Sequence, residues 1–259
     1  MTVLPFFQVD AFAERPFTGN PAAVMPLDAW LDDPTLQAIA AENNISETAF
    51  AVPSDSAKAD YDLRWFTPTV EVDLCGHATL ASAHILLMGK IIRFATRSGI
   101  LTVTRDDDML MLDLPAALVE PATDPALLAA LGVEGEVFTG TGGNGAAIVL
   151  LRDETAVRAV TPDFAVLARI DKLVMVTAPG DDHAIASRVF AAYHGIDEDP
   201  VTGSAHAALV PFWAPRLGRT YFSAIQASKR GGLLQCRMAG DRVILGGRAV
   251  TVIEGHFQL

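Results

Sequence analysis

The sequence has little cysteine and no cysteine cluster. Of 259 residues only Cys75 and Cys236 are cysteines, and they form no Cys-x-x-Cys motif. This spacing excludes the usual cysteine-based zinc sites. Sparse cysteine is typical of proteins from a reducing compartment, so we expect a cytoplasmic location.

Long hydrophobic runs are also missing. No stretch approaches 18 consecutive apolar residues, so we predict no membrane-spanning helix and no membrane partner. The segment Met1–Pro5 lacks the basic start and long apolar stretch of a signal peptide.

Positive charge is scarce. The chain has 19 Lys and Arg against 31 Asp and Glu, a net charge of −12 and a pI near 4.8. Such a surface repels phosphate backbones, and no basic stripe is present, so we expect no nucleic-acid partner. The 51% apolar content is instead that of an ordinary globular protein.

What the chain does contain is an internal repeat. Three motifs recur in the same order, about half a chain length apart: Cys75–Ala78 and Thr202–Ala205, Gly19–Val24 and Gly143–Ile148, Gly99–Leu101 and Gly232–Leu234. The repeat predicts two pseudo-symmetric lobes, 1–117 and 118–259, with the C-terminal strand able to join the first lobe. We expect the active site in the cleft between them.

Each lobe carries one helix that is apolar on nearly every side. We predict the first at His77–Met88, ended by Gly89, and the second at Ser204–Trp213, bent or shortened by Pro211. Strand-like segments surround both helices. The predicted fold class is therefore α+β, with each lobe a mostly antiparallel sheet or barrel wrapped around a central buried helix.

The starts of these two helices are candidate anion sites. The first N–H groups of a helix have no partner within it, and the helix dipole favours negative charge there. Gly76 and Gly203 let a ligand approach the backbone closely. We therefore predict a small carboxylate-bearing substrate held near Gly76, Gly203 and Ser204. The alternative is a pair of tight turns capped by Ser or Thr side chains.

Glu47 is the best candidate for a general acid and base. It lies where a polar loop, Asn43–Ser46, enters an apolar strand. Burial of a carboxyl group generally raises its pKa toward neutrality, which suits a group that takes and returns a proton. The matching place in the second lobe is near Leu173, so only one lobe carries such a group. The alternative is a structural cap or an exposed strand end.

His77 and Asp199 precede or begin the two predicted buried helices. A helix N-terminus should lower the pKa of His77 and keep it neutral, able to exchange a proton or hold Glu47 in place. Asp199 is a candidate second acid or orienting group, and helix capping is its alternative role. His77 and His84 lack a glutamate at zincin spacing, so we predict no metal.

Cys75 is the candidate base in a competing interpretation of the site. A thiolate at a helix N-terminus has a lowered pKa and can act as a base. Its counterpart is Thr202, so a pair of cysteines, one from each lobe, is absent. An inert buried cysteine is the other possibility.

Longer motifs resemble one known family. They are Asp10–Phe12, Phe17–Val24, Ile45–Phe50, Arg64–Pro68, Leu74–Ala81 and Ser98–Gly99 in the first half, and Ile196–His206 and Gln226–Gly232 in the second. Over essentially the whole chain the sequence resembles the PhzF family of phenazine-biosynthesis-type isomerases.

The resemblance implies the diaminopimelate-epimerase-like fold, a homodimer, a biosynthetic role and catalysis without a cofactor. It implies that Glu47 moves a proton between two carbons of the substrate, with His77, Asp199 and Ser204 in supporting roles. Asn20 joins the expected substrate-binding residues.

Two other functions stay open at this point. One is an epimerase, racemase or dehydratase of an amino or hydroxy acid that uses Cys75. The other is a non-catalytic ligand-binding protein on the same fold.

Overall fold

The computed structural model describes residues 2–141 and 145–259. Gly143 and Asn144, which belong to one of the repeated motifs, lie outside the described residues. Within the two described ranges, every helix is too short or too polar to cross a lipid bilayer.

The elements follow one another in the order strand, helix, strands, helix, strands, and then repeat that order. They are β1 (Val3–Ala11), β2 (Asn20–Pro26), α1 (Asp33–Asn43), β3 (Glu47–Pro53), β4 (Tyr61–Phe66), β5 (Glu71–Val72), α2 (Gly76–Leu86), β6 (Ile91–Thr96), β7 (Gly99–Asp106), β8 (Met109–Pro115), β9 (Val119–Ala122), α3 (Pro125–Leu131), β10 (Glu136–Gly140), β11 (Ala146–Leu150), α4 (Glu154–Ala159), α5 (Phe164–Leu167), β12 (Leu173–Pro179), β13 (Ile185–Ala191), a 3₁₀ turn (Ala192–His194), β14 (Ile196–Asp199), α6 (Gly203–Leu217), β15 (Tyr221–Gln226), β16 (Gly232–Ala239), β17 (Arg242–Gly247) and β18 (Ala249–Gln258).

The chain divides into two compact units. Unit 1 comprises Met1–Asp113 and Gly246–Leu259, and unit 2 comprises Leu114–Leu245. The C-terminal strand β18 therefore belongs to unit 1, where it pairs antiparallel with β1.

Strand pairing in unit 1 is mixed. β1 runs antiparallel to β2, β2 parallel to β3, and β3 antiparallel to β4. β4 then pairs antiparallel with β5 and parallel with β6, and β6 runs antiparallel to β7. The two parallel pairs are joined by helical crossovers, as parallel neighbours require.

Unit 2 has the same pairing scheme within itself. β10 and β11 are antiparallel, β11 and β12 parallel, and β12 and β13 antiparallel. β13 pairs antiparallel with β14 and parallel with β15, which runs antiparallel to β16. The predicted α+β class, with a sheet and a central buried helix in each repeat, is confirmed.

Helix α1 begins and ends as its sequence dictates. The Asp32 carboxylate accepts a hydrogen bond from the Thr35 N–H at 3.1 Å, and Pro34 occupies the first turn, where its missing N–H costs nothing. Asn44, with φ of 46°, ends the helix in the left-handed conformation that Asn tolerates. The turn delivers the chain directly into β3.

Helix α2 is the buried centre of unit 1. Every residue from Gly76 to Ala83 is buried, and the helix packs against β1, β2, β3 and β18. An all-round apolar helix has no other stable environment in water. It ends with Leu87 as C-cap, two residues before the glycine predicted to end it.

The second buried helix is longer than predicted. α6 runs from Gly203 to Leu217 and contains both Pro211 and Pro215, so Pro211 does not shorten it. The Phe212–Phe138 edge-to-face contact, with centroids 4.8 Å apart, is one of the packing interactions that hold the helix beyond the proline.

Gly19 fixes the turn that leads into β2. Its φ is +66°, and a Cβ built there would lie 2.2 Å from the Ala11 carbonyl oxygen. Only glycine fits, because the turn needs both a left-handed backbone and close approach of two chain segments. The next residue, Asn20, is thereby placed at the first position of β2.

Substituting Gly19 by Ala should destabilise the protein more than the same change at Gly132. Both glycines have φ of +66°, which costs an L-residue about 1–2 kcal/mol, but nothing lies within 4 Å of a Cβ at Gly132. The overlap at Gly19 should add at least about 1 kcal/mol. Urea unfolding of the two variants measures the difference, and equal losses would contradict the close-approach argument.

Candidate active site

Glu47 is the first residue of β3 and is buried. It pairs in parallel register with Ala22 of β2, and every strand residue after it is buried up to Val52. A parallel strand covered on both faces is normally apolar throughout, so a glutamate at this position is unusual. Its residue exposure is 8%, which rules out the surface strand end that the sequence left open.

His77 supplies the nearest partner of the Glu47 carboxylate. It is the second residue of α2, is 3% exposed, and places Nε2 2.9 Å from Glu47 Oε2. The separation is that of an ion pair, yet Oε2 accepts no well-aligned hydrogen bond from any described residue. We take the contact as a charge pair, since the distance is short while the N–H direction is poor. Oε2 is thus buried and held by charge rather than by a well-aligned hydrogen bond.

Asn20 and Ser46 hold the other side of the histidine. Asn20 is fully buried, and its Nδ2 lies 3.1 Å from His77 Nδ1. Ser46 Oγ donates to Asn20 Oδ1 at 3.2 Å. Asn20 was predicted to bind substrate, but these contacts give its amide a role in orienting His77.

The pKa of His77 is raised, contrary to the expectation from its helix position. Burial alone would lower the pKa, but the interactions with the neighbouring Cys75 and Glu47 side chains outweigh it and raise the pKa well above 6.5. Glu47 is the physically important charge, because the thiol of Cys75 stays protonated. The adjacent carboxylate overrides the helix dipole since it is closer and carries a full charge.

Cys75 contacts the same histidine but is a poor base. Its Sγ lies 3.5 Å from His77 Nδ1 and 4.0 Å from Nε2. Burial and the charge of Glu47 raise the pKa of the thiol, and the His77 charge and the Ala78 N–H only partly oppose them. The helix N-terminus therefore does not produce a reactive thiolate here.

Glu47, Cys75 and His77 offer three potential metal donors, which lie within 4.8 Å of one another. A metal on His77 must lie in the ring plane, on the outward lone pair of Nε2. The sulfur is nearer to Nδ1 than to Nε2, so it lies beside the ring rather than beyond Nε2. One cation cannot readily take both atoms, and the donor arrangement does not favour a metal centre.

The start of α2 lacks a side-chain cap. Cys75 is the N-cap residue and makes no capping hydrogen bond. Gly76, the next residue in the chain, is buried. Thr202, the N-cap of α6, makes none either. The interpretation of both glycine turns as Ser- or Thr-capped ends is therefore wrong: among the described residues, neither helix start has a side-chain cap.

Asp199 in unit 2 is held by its own turn. The Thr202 hydroxyl donates a short hydrogen bond to Asp199 Oδ2. The buried Gln226 fixes both residues, because its Oε1 accepts from the Thr202 N–H at 2.9 Å and its Nε2 donates to the Asp199 carbonyl at 2.7 Å. The carboxylate is buried and rigidly oriented at the entrance to α6.

Gly203 and Ser204 form the first turn of α6. Gly203 is buried and Ser204 half-buried. One turn further, His206 Nδ1 donates to the Thr202 carbonyl at 2.8 Å, and burial lowers the pKa of this histidine to about 4. His206 is therefore neutral at pH 7 and is not an acid for catalysis.

Unit 1 brings together Glu47, His77 and Asn20 beside Gly76, and unit 2 brings Asp199 beside Gly203 and Ser204. Sequence reasoning gave no role to Ser46 or Gln226. Their positions within the motifs Ile45–Phe50 and Gln226–Gly232 were the available signal. Their partners are 26 and 24 residues away along the chain and could not be paired from the sequence.

The contribution of His77 to the stability of the folded protein should decline as pH rises above 6.5, the ordinary pKa of a histidine side chain. The folded protein keeps the proton on His77 after the unfolded chain has lost it near pH 6.5, so the contribution is full below 6.5 and is lost above it. We expect the unfolding free energy of wild type, minus that of His77→Gln, to fall as pH rises from about 6.5 toward the raised pKa of His77. One proton limits the slope to about 1.4 kcal/mol per pH unit. Urea unfolding at several pH values tests this, and a flat or rising difference would show that His77 stays neutral.

Known proteins resemble the chain in sequence and in fold. The family model described as phenazine biosynthesis-like protein (PhzC-PhzF) matches residues 9–255. A Pseudomonas aeruginosa protein named an uncharacterized isomerase is 52% identical over 264 residues, covering 99% of each chain.

Solved structures agree with the sequence match. The crystal structure of a PhzF-family phenazine biosynthesis protein from Enterococcus faecalis has 44% identity and a TM-score of 0.93, covering 100% of both chains. A hydroxyproline epimerase from Agrobacterium vitis shares the fold at 12% identity, with a TM-score of 0.62 over 98% of this chain and 92% of its own. The chain belongs to the PhzC-PhzF family of phenazine biosynthesis-like proteins.

Proposed function

We propose that this family member is a cofactor-independent isomerase in which Glu47 moves a proton between two carbons of a small carboxylate-bearing substrate. The protein is an isomerase of the PhzF family, and it has relatives that are named isomerases. The observation that carries the finer proposal is the state of Glu47 Oε2, which is buried, 2.9 Å from His77 Nε2, and accepts no aligned hydrogen bond. Buried polar atoms in native proteins are nearly always satisfied, so such an atom in a family of isomerases is a candidate for contact with substrate.

The proposed step conserves atoms and charge. Oε2 takes a proton from one substrate carbon, the C–H electron pair stays on the substrate, and the same oxygen returns the proton to another carbon on that face. A single base suffices because both transfers occur on one side of the molecule. The position equivalent to Glu47 in unit 2 is Leu173, the first residue of β12, which carries no acid or base.

His77 supports this step electrostatically. With its pKa raised, it is protonated while Glu47 is charged, and the pair is neutral in total. When Glu47 takes a proton, the positive charge of His77 is left to face the negative charge that forms on the substrate. A charge fixed in place before the reaction stabilises the transition state without costly reorganisation.

The substrate carboxylate is proposed to bind at the start of α2. The N–H groups at Gly76 and His77 are followed by a helix whose dipole favours an anion, and Cys75 provides no side-chain cap. Roles for Asp199, Gly203 and Ser204 in holding or protonating substrate stay predictions, as do a homodimer, a cytoplasmic location and a biosynthetic role.

The two alternatives make different demands on the same residues. An epimerase or dehydratase based on Cys75 needs a thiolate, and burial together with the Glu47 charge works against one. A non-catalytic binding protein has no need for a buried carboxylate oxygen that lacks an aligned hydrogen-bond partner. Neither is favoured by a specific contact.

Replacing Glu47 by Gln should abolish proton exchange and preserve binding. A thermal-shift screen of small carboxylates, including dihydro-hydroxyanthranilate-like acids and hydroxyprolines, first identifies ligands that stabilise the folded protein. Proton NMR in D₂O then follows solvent deuterium entering carbon positions of those ligands. We expect a loss of at least about 10³-fold, because glutamine cannot accept the proton.

Glu154 provides a matched control for this experiment. It is also a buried glutamate, but it is paired with Arg158, so Glu154→Gln tests loss of a buried carboxylate elsewhere. Near-normal exchange by Glu47→Gln would refute the proposed role. Binding without exchange by the wild type, for every ligand, would favour the non-catalytic alternative.

Replacing Cys75 by Ala should leave exchange within about ten-fold of wild type. The sulfur touches His77 but its raised pKa keeps it protonated, so its removal takes away a packing contact and no base. The same deuterium-exchange assay measures this. A loss as large as that of Glu47→Gln would instead support Cys75-based chemistry.

A further inference from the structure

Phe17 presents a large apolar side chain to solvent. The residue is 81% exposed, and no other Phe, Trp or Tyr among residues 2–141 and 145–259 is as exposed. A phenylalanine stabilises a fold mainly through burial of its ring, and this ring contributes little in that way. A single exposed apolar residue is common on protein surfaces, but the backbone at Phe17 sets it apart.

The backbone at Phe17 is strained. Its φ of +71° lies in the left-handed region, where the Cβ of an L-residue crowds a carbonyl oxygen and bulky residues are rare. The other described non-glycine residues with positive φ are Asn44 and Asp107, whose short polar side chains tolerate it, and Phe12, which is buried. Phe17 has neither compensation. A strained residue that gains no stability from its side chain is a candidate for a functional role.

The turn that carries Phe17 is fixed by hydrogen bonds. The Phe17 N–H donates to Oδ2 of Asp10 at 2.8 Å, and Asp10 is only 1% exposed. The Thr18 hydroxyl donates to the Arg15 carbonyl oxygen at 2.8 Å. A hydrogen bond to a buried carboxylate is charge-assisted and strong. The exposed ring is therefore carried by a fixed turn and not by a loose loop tip.

Strand pairing places this turn at the same end of unit 1 as Glu47. The turn leads into Asn20, the first residue of β2, and Glu47 pairs with Ala22 two residues further along. Phe17 precedes Asn20 by three residues, so their Cα atoms lie within about 11 Å of each other. Asn20 contacts His77 at 3.1 Å. Phe17 therefore lies beside the candidate active site.

The polar groups of the site account for a substrate's charge but not for its carbon skeleton. Glu47, His77 and Asn20 are all polar. Small-molecule sites, in contrast, are lined predominantly by apolar and aromatic side chains with a few polar groups among them. An aromatic ring offers a large apolar area and, with only two side-chain torsions, loses little conformational freedom on contact. The apolar part of a bound carboxylate is thus the occupant that fits the exposed ring.

We propose that Phe17 is a substrate-contact residue whose ring packs on the apolar body of the carboxylate bound beside Glu47 and His77, so that the site prefers acids with a ring over compact acids. This inference rests on the proposed function, because it assigns the class of substrate for that same site. The fold keeps a strained residue at this position because its ring acts on the ligand and not on the protein core.

Benzoate and acetate are matched probes for this preference. Each carries one carboxylate at pH 7, and benzoate has a phenyl ring in place of the methyl group. Binding is followed by NMR titration of ¹⁵N-histidine-labelled protein through the His77 ring signals, which are those that disappear in His77→Gln. Wild type should bind benzoate at least about ten-fold more tightly than acetate. A smaller ratio, or binding that leaves the His77 signals unmoved, would overturn the proposal.

Phe17→Asn removes the ring and suits the left-handed backbone. The affinity ratio of benzoate to acetate should fall to about three-fold or less, while the thermal unfolding midpoint stays within about 2 °C of wild type or rises. Phe17→Tyr keeps the ring and should keep the ratio. An unchanged ratio in Phe17→Asn would show that the ring does not touch the ligand. A midpoint lowered by more than about 5 °C would show that the ring stabilises the fold instead, and it too would overturn the proposal.

Tyr221→Asn is the matched control. Tyr221 is also an exposed aromatic residue, at 56%, but it begins β15 in an ordinary strand. This change should leave the affinity ratio unaltered, and an equal fall in both variants would overturn the assignment to Phe17. Light scattering of Phe17→Asn tests a second copy of the chain as the occupant of the ring. Dissociation of an oligomer together with an unchanged ratio would favour that occupant and end the proposal.

The affinity ratio does not depend on proton transfer. Glu47→Gln should retain the preference for benzoate, because that variant still carries Phe17. A wild type that prefers benzoate but exchanges no carbon-bound proton of any ligand would refute the role of Glu47 and support that of Phe17. Normal proton exchange with equal affinity for the two probes would refute the role of Phe17 alone.

Discussion

The structure of the site depends on one buried charge pair, Glu47 with His77. Neither group is stable alone in an apolar interior, because desolvation disfavours any unpaired charge. Together they form a neutral unit at 2.9 Å. The rest of unit 1 supports the geometry of that pair: β3 carries one partner, α2 carries the other, and both elements pack around the same core.

The surrounding polar groups extend this pair into a network. Asn20 follows a turn that only Gly19 permits, and Ser46 follows the left-handed end of α1 at Asn44. Backbone geometry set one or two residues earlier therefore places Asn20 against His77 and Ser46 against Asn20. The result is a histidine contacted at both ring nitrogens, by Asn20 and by Glu47, and a glutamate whose buried Oε2 accepts no well-aligned hydrogen bond from a described residue.

Much of the fold was predictable from local pattern. The two buried helices were predictable from an apolar surface on every side, and the start of α1 has the residue types of a helix N-terminus, Asp32 as cap and Pro34 in the first turn. Strands β13 and β15 are harder to recognise, because buried and half-buried strands of mixed composition give no clear period in the sequence. Pro211 does not shorten α6, because tertiary packing of that helix outweighs the loss of one backbone hydrogen bond.

The sequence by itself determined the family, the repeat and the identity of the candidate acid and base, because these depend on residue types in short fixed spacings. Only the tertiary structure decided the charge state of His77 and the partners of Asn20. The helix start alone argues for a lowered pKa, whereas the carboxylate that raises it comes from a strand 30 residues earlier. The electrostatic environment of a side chain depends on which charged groups lie close to it in space. Local sequence spacing does not reveal which remote segments the fold brings together.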